Sequence, residues 1–170
     1  VTAHGEAAAE RLAGLVGDAT VASAESLTAG RVCERLAAVE GSGTWFRGGL
    51  VAYGTEVKRS LLGVSAPSVY SELAVRQMAE GVARLLSATV AVATSGVTGP
   101  DDREGVAPGT VFVGCFAHGT LTSHVVHLAG GPEAVCEAAA AAALSLLADH
   151  LEAGHRSSGQ GEREAGRAHG

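Results

Sequence analysis

Residues 20–39 read TVASAESLTAGRVCERLAAV, and the succession of residue types within them sets the architecture. TVASA (20–24) is a short β-prone run, ESLTAG (25–30) carries the Ser, Thr and Gly of a turn, and RVCERLAAV (31–39) follows as a helix. A strand that turns tightly into a helix is a building unit of helix-covered sheets, and ligands in such folds sit at the carboxyl ends of the strands.

The flanks repeat this alternation. GEAAAERLAGLV (5–16) sets Ala8, Leu12, Leu15 and Val16 at helical spacing, with Gly17 and Asp18 as a stop. After the loop EGSGTWFRG comes GLVAY (49–53), apolar enough for a buried strand that ends at Tyr53. TEVKRSLLGV then reads as a short helix capped by Thr55 and ended by Gly63, with Lys58 in its first turns. VYSELAVRQMAEGVARLLSA (69–88) is a helix with Ser71 as N-cap and Leu73, Met78, Val82 and Leu86 near one face. TVAVATS (89–95) is a strongly apolar strand, expected at the centre of the sheet. VTGPDDREGVAPG is a turn-rich loop, GTVFVGCFA and LTSHVVHLA are strands joined through HGT as a hairpin, and GPEAVCEAAAAAALSLLADHLE is the last helix. These elements predict an α/β fold: three layers, α/β/α, around a mixed sheet.

One domain, residues 1–153, accounts for this pattern. From Gly154 onward GHRSSGQGEREAGRAHG has almost no apolar residues and no period, and is expected to be a disordered polar tail over 154–170. Hydrophobic residues make up 46% of the chain but aromatics only 4%, so the interior must be built from Ala, Val and Leu packed closely. The formal charge of −6, with no cluster of Lys and Arg, argues against a nucleic-acid groove while leaving room for a local anion pocket. Cys33, Cys115 and Cys136 are odd in number and widely spaced, with no CxxC pair and no secretory leader, which suits a reduced, cytoplasmic setting without disulfides or zinc. No apolar run reaches the roughly 20 residues of a membrane span; the longest, Ala138–Leu147, is expected to pack inside the fold. The Ala-rich helices and a hairpin edge make a homo-oligomer an expectation.

Three strand ends should converge: Glu25–Gly30, Tyr53–Lys58 and Ser95–Pro100. Ser26 stands where a strand turns into a helix, so the following N–H groups can stabilise a developing oxyanion, as an acyl-transfer nucleophile requires. Plain capping by Ser26 or Thr28 fits the same residues. Lys58 becomes a base for Ser26 if burial lowers its pKa from about 10.4 to about 7–8; otherwise it is a solvated lysine paired with Glu56. Tyr53 can relay a proton or simply pack its ring. SGVTGP (95–100) brings two glycines that let backbone approach a phosphate or carboxamide, although an ordinary turn also uses them. His124 and His127, three apart in a strand, face opposite ways, so no metal is assigned.

Taken in order, TVASAESLTAG, GSGTWFRGGLVAYGTEVKRSLLGV, ATSGVTGP and PGTVFVG closely resemble the C-terminal domain of CinA proteins, also called nicotinamide-nucleotide amidases, over about residues 5–151. The stretch Gly41–Val64 is the most specific part, matching the family pattern GSSxWFxGGxVxYSNExKxxLLGV at most positions. The resemblance implies hydrolysis of nicotinamide mononucleotide to nicotinic acid mononucleotide and ammonia, with no cofactor. Ser26 then matches the family's serine nucleophile, Lys58 its base and Tyr53 its tyrosine. Backbone near Thr28 and Ala29 would hold the oxyanion. Glu25, Thr28, Ala29, Gly30, Thr55, Ser95, Gly96, Thr98 and Gly99 are the implied substrate contacts, Glu25 by orienting the serine turn or the lysine.

The sequence also departs from the family pattern. ESCTGG is ESLTAG here, with Leu27 and Ala29 in place of Cys and Gly, and YSNE is YGTE at Gly54 and Thr55. Where the family shows GDRxxVR this chain reads GGPEAVC, so Pro132 and Cys136 replace arginines. Loss of a phosphate-binding arginine removes roughly 1.5–3 kcal/mol of charge-assisted bonding. Two alternatives therefore stand beside the mononucleotide amidase: an amidase on a non-phosphorylated carboxamide, and a non-catalytic nucleotide- or partner-binding module. Full-length CinA proteins carry a further N-terminal molybdopterin-binding-like domain, for which these residues offer no counterpart.

Overall fold

The computed structural model describes residues 2–167, with side-chain environments for 5–156. In chain order the elements are α1 (Thr2–Val16), β1 (Val21–Glu25), α2 (Arg31–Ala38), a 3-10 turn (Ser42–Thr44), β2 (Phe46–Val51), α3 (Thr55–Leu62), α4 (Glu72–Leu85), β3 (Val90–Gly96), β4 (Thr110–Ala117), β5 (Thr120–His127) and α5 (Pro132–Arg167). The strands form one mixed sheet in the order β2-β1-β3-β4-β5, with β3 at its centre as expected. β1 runs parallel to β2 and β3, whereas β4 and β5 add antiparallel.

Alternation along the strands assigns the layers. Val21, Val90, Val92, Val111, Val113 and Cys115 bury toward α1, α2 and α5, while Ala22, Ala24, Ala91 and Ala93 bury toward α3 and α4. Large β-branched residues on one face and alanines on the other let α4 settle close to the sheet. Gly114 shows how close: a Cβ there would meet the Val75 carbonyl oxygen at 2.3 Å. The alanines of α5 fill the opposite layer, with Ala139, Ala140, Ala143, Leu144, Leu147, Ala148 and Leu151 buried. Residues 132–156 have the length and hydropathy of a membrane span, yet this buried face makes them the core helix of the domain.

Four details differ from the sequence reading. β2 begins at Phe46 rather than Gly49, because a bulge pairs Val21 with Phe46 but Ala22 with Gly48. The chain leaves the sheet after Ala52, so Tyr53 lies just beyond the strand rather than in it. Gly54 occupies the cap of α3 with no side-chain cap bond, and Thr55 is the first helical residue instead of the cap. α5 continues through the polar segment 154–167 as helix, where an irregular tail was expected; residues 168–170 of that segment lie outside the described part. Two caps stand as read: Ser71 Oγ accepts from the Ala74 N–H at 3.2 Å, and Gly63 ends α3 at φ 72°.

Candidate active site

Because β1 pairs in parallel on both sides, Glu25 stands between Val51 of β2 and Thr94 of β3. Residues just past those three strand ends therefore meet. Ser26, Leu27, Tyr53, Gly96, Val97, Thr98 and Gly99, joined by Tyr70 and Arg103, border a cavity of about 260 Å³. Gly96 is there for space: a Cβ would meet the Thr110 carbonyl oxygen at 2.6 Å.

The serine turn is held from beneath by Glu25, whose carboxylate is fully buried. Oε2 accepts from Thr28 Oγ1 at 2.7 Å, the Gly30 N–H at 2.9 Å and the Val32 N–H at 3.1 Å, and Oε1 accepts from the Cys33 N–H at 2.8 Å. The first N–H groups of a helix lack partners within it, and its dipole favours negative charge there, so Glu25 caps α2 from five residues upstream of Gly30. With its proton given to Glu25, Thr28 Oγ1 accepts from Thr94 Oγ1 at 2.9 Å. Further out, Cys136 Sγ donates to the Leu27 carbonyl at 2.9 Å and Arg31 Nη1 to the Thr28 carbonyl at 3.3 Å. Arg31 and Arg35 both pair with Glu137, at 2.6 and 2.5 Å, which fastens α2 to α5.

Several of the expected site residues are bonded within the protein. Glu25, Thr28 and Ser95 are fully buried. Ser95 Oγ donates to the Val69 carbonyl at 2.7 Å and so fixes the segment that carries Tyr70. Gly30 and Ala29 shape the turn with φ of 101° and 50°, and neither borders the cavity; nor does the exposed Thr55. The Ala29 N–H is also engaged, donating to the Ser26 carbonyl at 3.1 Å. Among the described residues, the Leu27 and Thr28 N–H groups donate to no protein acceptor. Ser26 Oγ likewise makes no hydrogen bond to another described residue.

Lys58 is not the solvated lysine of the plainer reading. It is 3% exposed, its Nζ donates to the Tyr53 carbonyl at 2.9 Å, and among the described residues it has no carboxylate partner, Glu56 included. Burial lowers its pKa from the ordinary lysine value. The structure shows no hydrogen bond between Lys58 and Ser26; it ties the lysine to the backbone of Tyr53, whose 70% exposed side chain borders the cavity.

The model of the CinA C-terminal domain family matches residues 6–151. This chain belongs to that family. A CinA-like protein of Frankia casuarinae is 40% identical over 134 residues, covering 76% of this chain and 31% of the relative. A CinA-like protein of Salinibacter ruber is 44% identical over 103 residues, covering 57% of this chain and 25% of the relative. The chain thus spans about a third or less of the length of the curated relatives it matches. Among solved structures, a CinA superfamily protein of Klebsiella pneumoniae superposes with a TM-score of 0.82 at 29% identity, covering 87% of this chain and 98% of that one. One from Escherichia coli gives 0.77 at 30%, covering 86% and 88%.

Against the CinA pattern, Ala29 is a non-glycine residue in the left-handed region, at φ 50°. That conformation costs an L-residue about 1–2 kcal/mol, only part of which the extra unfolded-state freedom of glycine gives back. Ala29→Gly is therefore expected to stabilise the chain by about 0.5–1 kcal/mol, read as a rise in denaturant midpoint at constant slope. A fall in midpoint would mean the turn is unstrained. Cys136 and Pro132, at the positions of the absent arginines, have different surroundings: the thiol is bonded beneath the serine turn, and Pro132 borders a neighbouring cavity of about 600 Å³. Tyr70 and Arg103 went unnoticed in the sequence. Tyr70 lies just before the Ser71 cap of α4, and Arg103 lies in a loop whose sequence signals only turns.

Proposed function

We propose that this chain is a serine amidohydrolase that deamidates nicotinamide mononucleotide. The observation that carries the reading is that Ser26, with the free N–H groups of Leu27 and Thr28 beside it, shares one cavity with Tyr53, while the buried amine of Lys58 is fixed to the backbone of that tyrosine. Membership of the CinA family, which includes nicotinamide-nucleotide amidases, supports the choice of substrate.

In this reading Ser26 Oγ attacks the carboxamide carbon as its proton passes to neutral Lys58, with Tyr53 assisting the transfer. The Leu27 and Thr28 N–H groups stabilise the oxyanion. Collapse breaks the C–N bond, the proton returns to the leaving nitrogen and ammonia departs, leaving a Ser26 ester. Water then attacks the ester, giving up a proton to Lys58, and the carboxylate product leaves as Ser26 regains its hydroxyl.

The test is ammonia release from nicotinamide mononucleotide across pH, with folding followed by circular dichroism. A base must be neutral, so the rate is expected to rise through the lowered pKa of Lys58 and then level off. The same group gives the sign of a stability effect. Between its folded and unfolded pKa values the unfolded chain binds more protons, so the destabilisation from burying Lys58 is full below the folded value and fades as pH rises toward the unfolded one. Lys58→Met should lose activity and remove this pH dependence. A folded wild type that releases no ammonia at any pH sinks the amidase reading.

A further inference from the structure

We propose that Arg103 is the anion contact of the cavity and that the chain therefore selects carboxamides that carry a phosphate. This rests on the reading of the Ser26 cavity as the amidase site.

The positions where the family pattern leads one to expect arginine hold Pro132 and Cys136, which carry no positive charge, and the thiol is bonded to the Leu27 carbonyl. Two other cations lie close by but do not border the cavity: Lys58 is buried on the Tyr53 carbonyl, and Arg31 is paired with Glu137 and bonded to the Thr28 carbonyl. Arg103 does border it. In a chain of net charge −6, a local positive group favours the entry of a phosphate into such a cavity.

The loop presents Arg103 on a fixed arm. Its backbone pairs with Val106 through two hydrogen bonds, of 3.0 and 2.9 Å, around Glu104 at φ 52° and Gly105 at φ 78°. Two successive positive φ values make this a type I′ turn, the tight connection of a hairpin. Val106 anchors the arm by packing against the core on the α4 side. A backbone already ordered loses less freedom on binding. Among the described residues the Arg103 side chain forms no ion pair, even though Asp101, Asp102 and Glu104 flank it in sequence. Its planar fork is thus available for the two-point contact that guanidinium makes with phosphate oxygens.

The experiment is calorimetric titration of nicotinamide mononucleotide, nicotinamide riboside and inorganic phosphate into Ser26→Ala protein, which binds without turnover. Titrations are repeated with Arg103→Ala, Arg103→Lys or Gly105→Val added, and ammonia release is measured in parallel with Ser26 intact. Arg103→Ala is expected to weaken the mononucleotide by about 10-fold or more and leave the riboside unchanged, with Arg103→Lys recovering part of the loss. Gly105→Val, which retains the guanidinium but strains its turn, should fall in the same direction. Inorganic phosphate competing with the mononucleotide only when Arg103 is present assigns the contact to the phosphate group. Equal losses for nucleotide and riboside, no loss at all, or no binding of the mononucleotide overturns the proposal. Arg103-dependent binding without ammonia release would uphold it while removing the amidase; turnover indifferent to Arg103 would do the reverse.

Discussion

Ser26→Ala is expected to lower ammonia release from nicotinamide mononucleotide by at least about 10³-fold while leaving the fold almost untouched. The two halves of this result have separate causes. The Ser26 hydroxyl bonds to no other described residue and borders the cavity, so deleting it breaks no internal bond, and the stability change should stay within about 0.5 kcal/mol. In the proposed mechanism chemistry depends on it entirely, because without Oγ no ester forms and only the oxyanion donors and binding contacts remain to help water attack directly. In serine hydrolases such a remnant still exceeds the uncatalysed rate, yet falls many orders of magnitude below the intact enzyme. The pair of measurements is ammonia release and denaturant midpoint on the same preparation. A variant that keeps more than a tenth of wild-type turnover removes Ser26 as the nucleophile.

Glu25→Ala reverses the pattern, with stability lost first and activity lost because of it. Four donors converge on this buried carboxylate, and three of them are backbone N–H groups of Gly30, Val32 and Cys33 at the start of α2. Alanine leaves them without an acceptor in a place water reaches poorly. An unsatisfied buried donor costs about 1–3 kcal/mol, so the loss here is about 3–5 kcal/mol, which for a domain of this size lowers Tm by about 10 °C. Glu25→Gln should cost less, since its amide oxygen can take the place of Oε2 and only the contact with the Cys33 N–H turns unfavourable. Calorimetric melting of the three proteins checks the order. A loss below about 1 kcal/mol for alanine would show that the turn stands without its carboxylate.

Much of this could be read from residue order alone, and the reasons divide cleanly. The layers were legible because the strands are short apolar runs between turn signals, and the positions of β1, β3, β4 and β5 follow from them. β2 was misplaced because its start depends on a bulge against β1, a cross-strand event invisible in one strand's own sequence. The helical course of 154–167 was missed because polar composition says that a segment lacks a core face, not which backbone conformation it adopts. At the cavity, the meeting of Ser26 and Tyr53 follows from the strand ends. The duties of Thr28 and Ser95 do not, since a buried hydrogen-bonding residue and a ligand contact look alike until the partner elsewhere in the fold is known. Arg103 carries no signal of its own in the sequence, where the loop around it reads only as turns.

The bond between Thr28 and Thr94 joins residues 66 apart, and that separation governs when, during folding, the serine turn can be fixed against β3. β4 and β5 meet through a loop of two residues and can zip locally, at little entropic cost. The bond of Thr28 to β3 must await closure of the crossover through α3 and α4 that brings β3 beside β1, the slow kind of contact for a chain to find. The antiparallel half of the sheet is thus a platform that can form early, whereas the cavity beside Ser26, which needs the end of β3, is among the last parts of the molecule to acquire its shape.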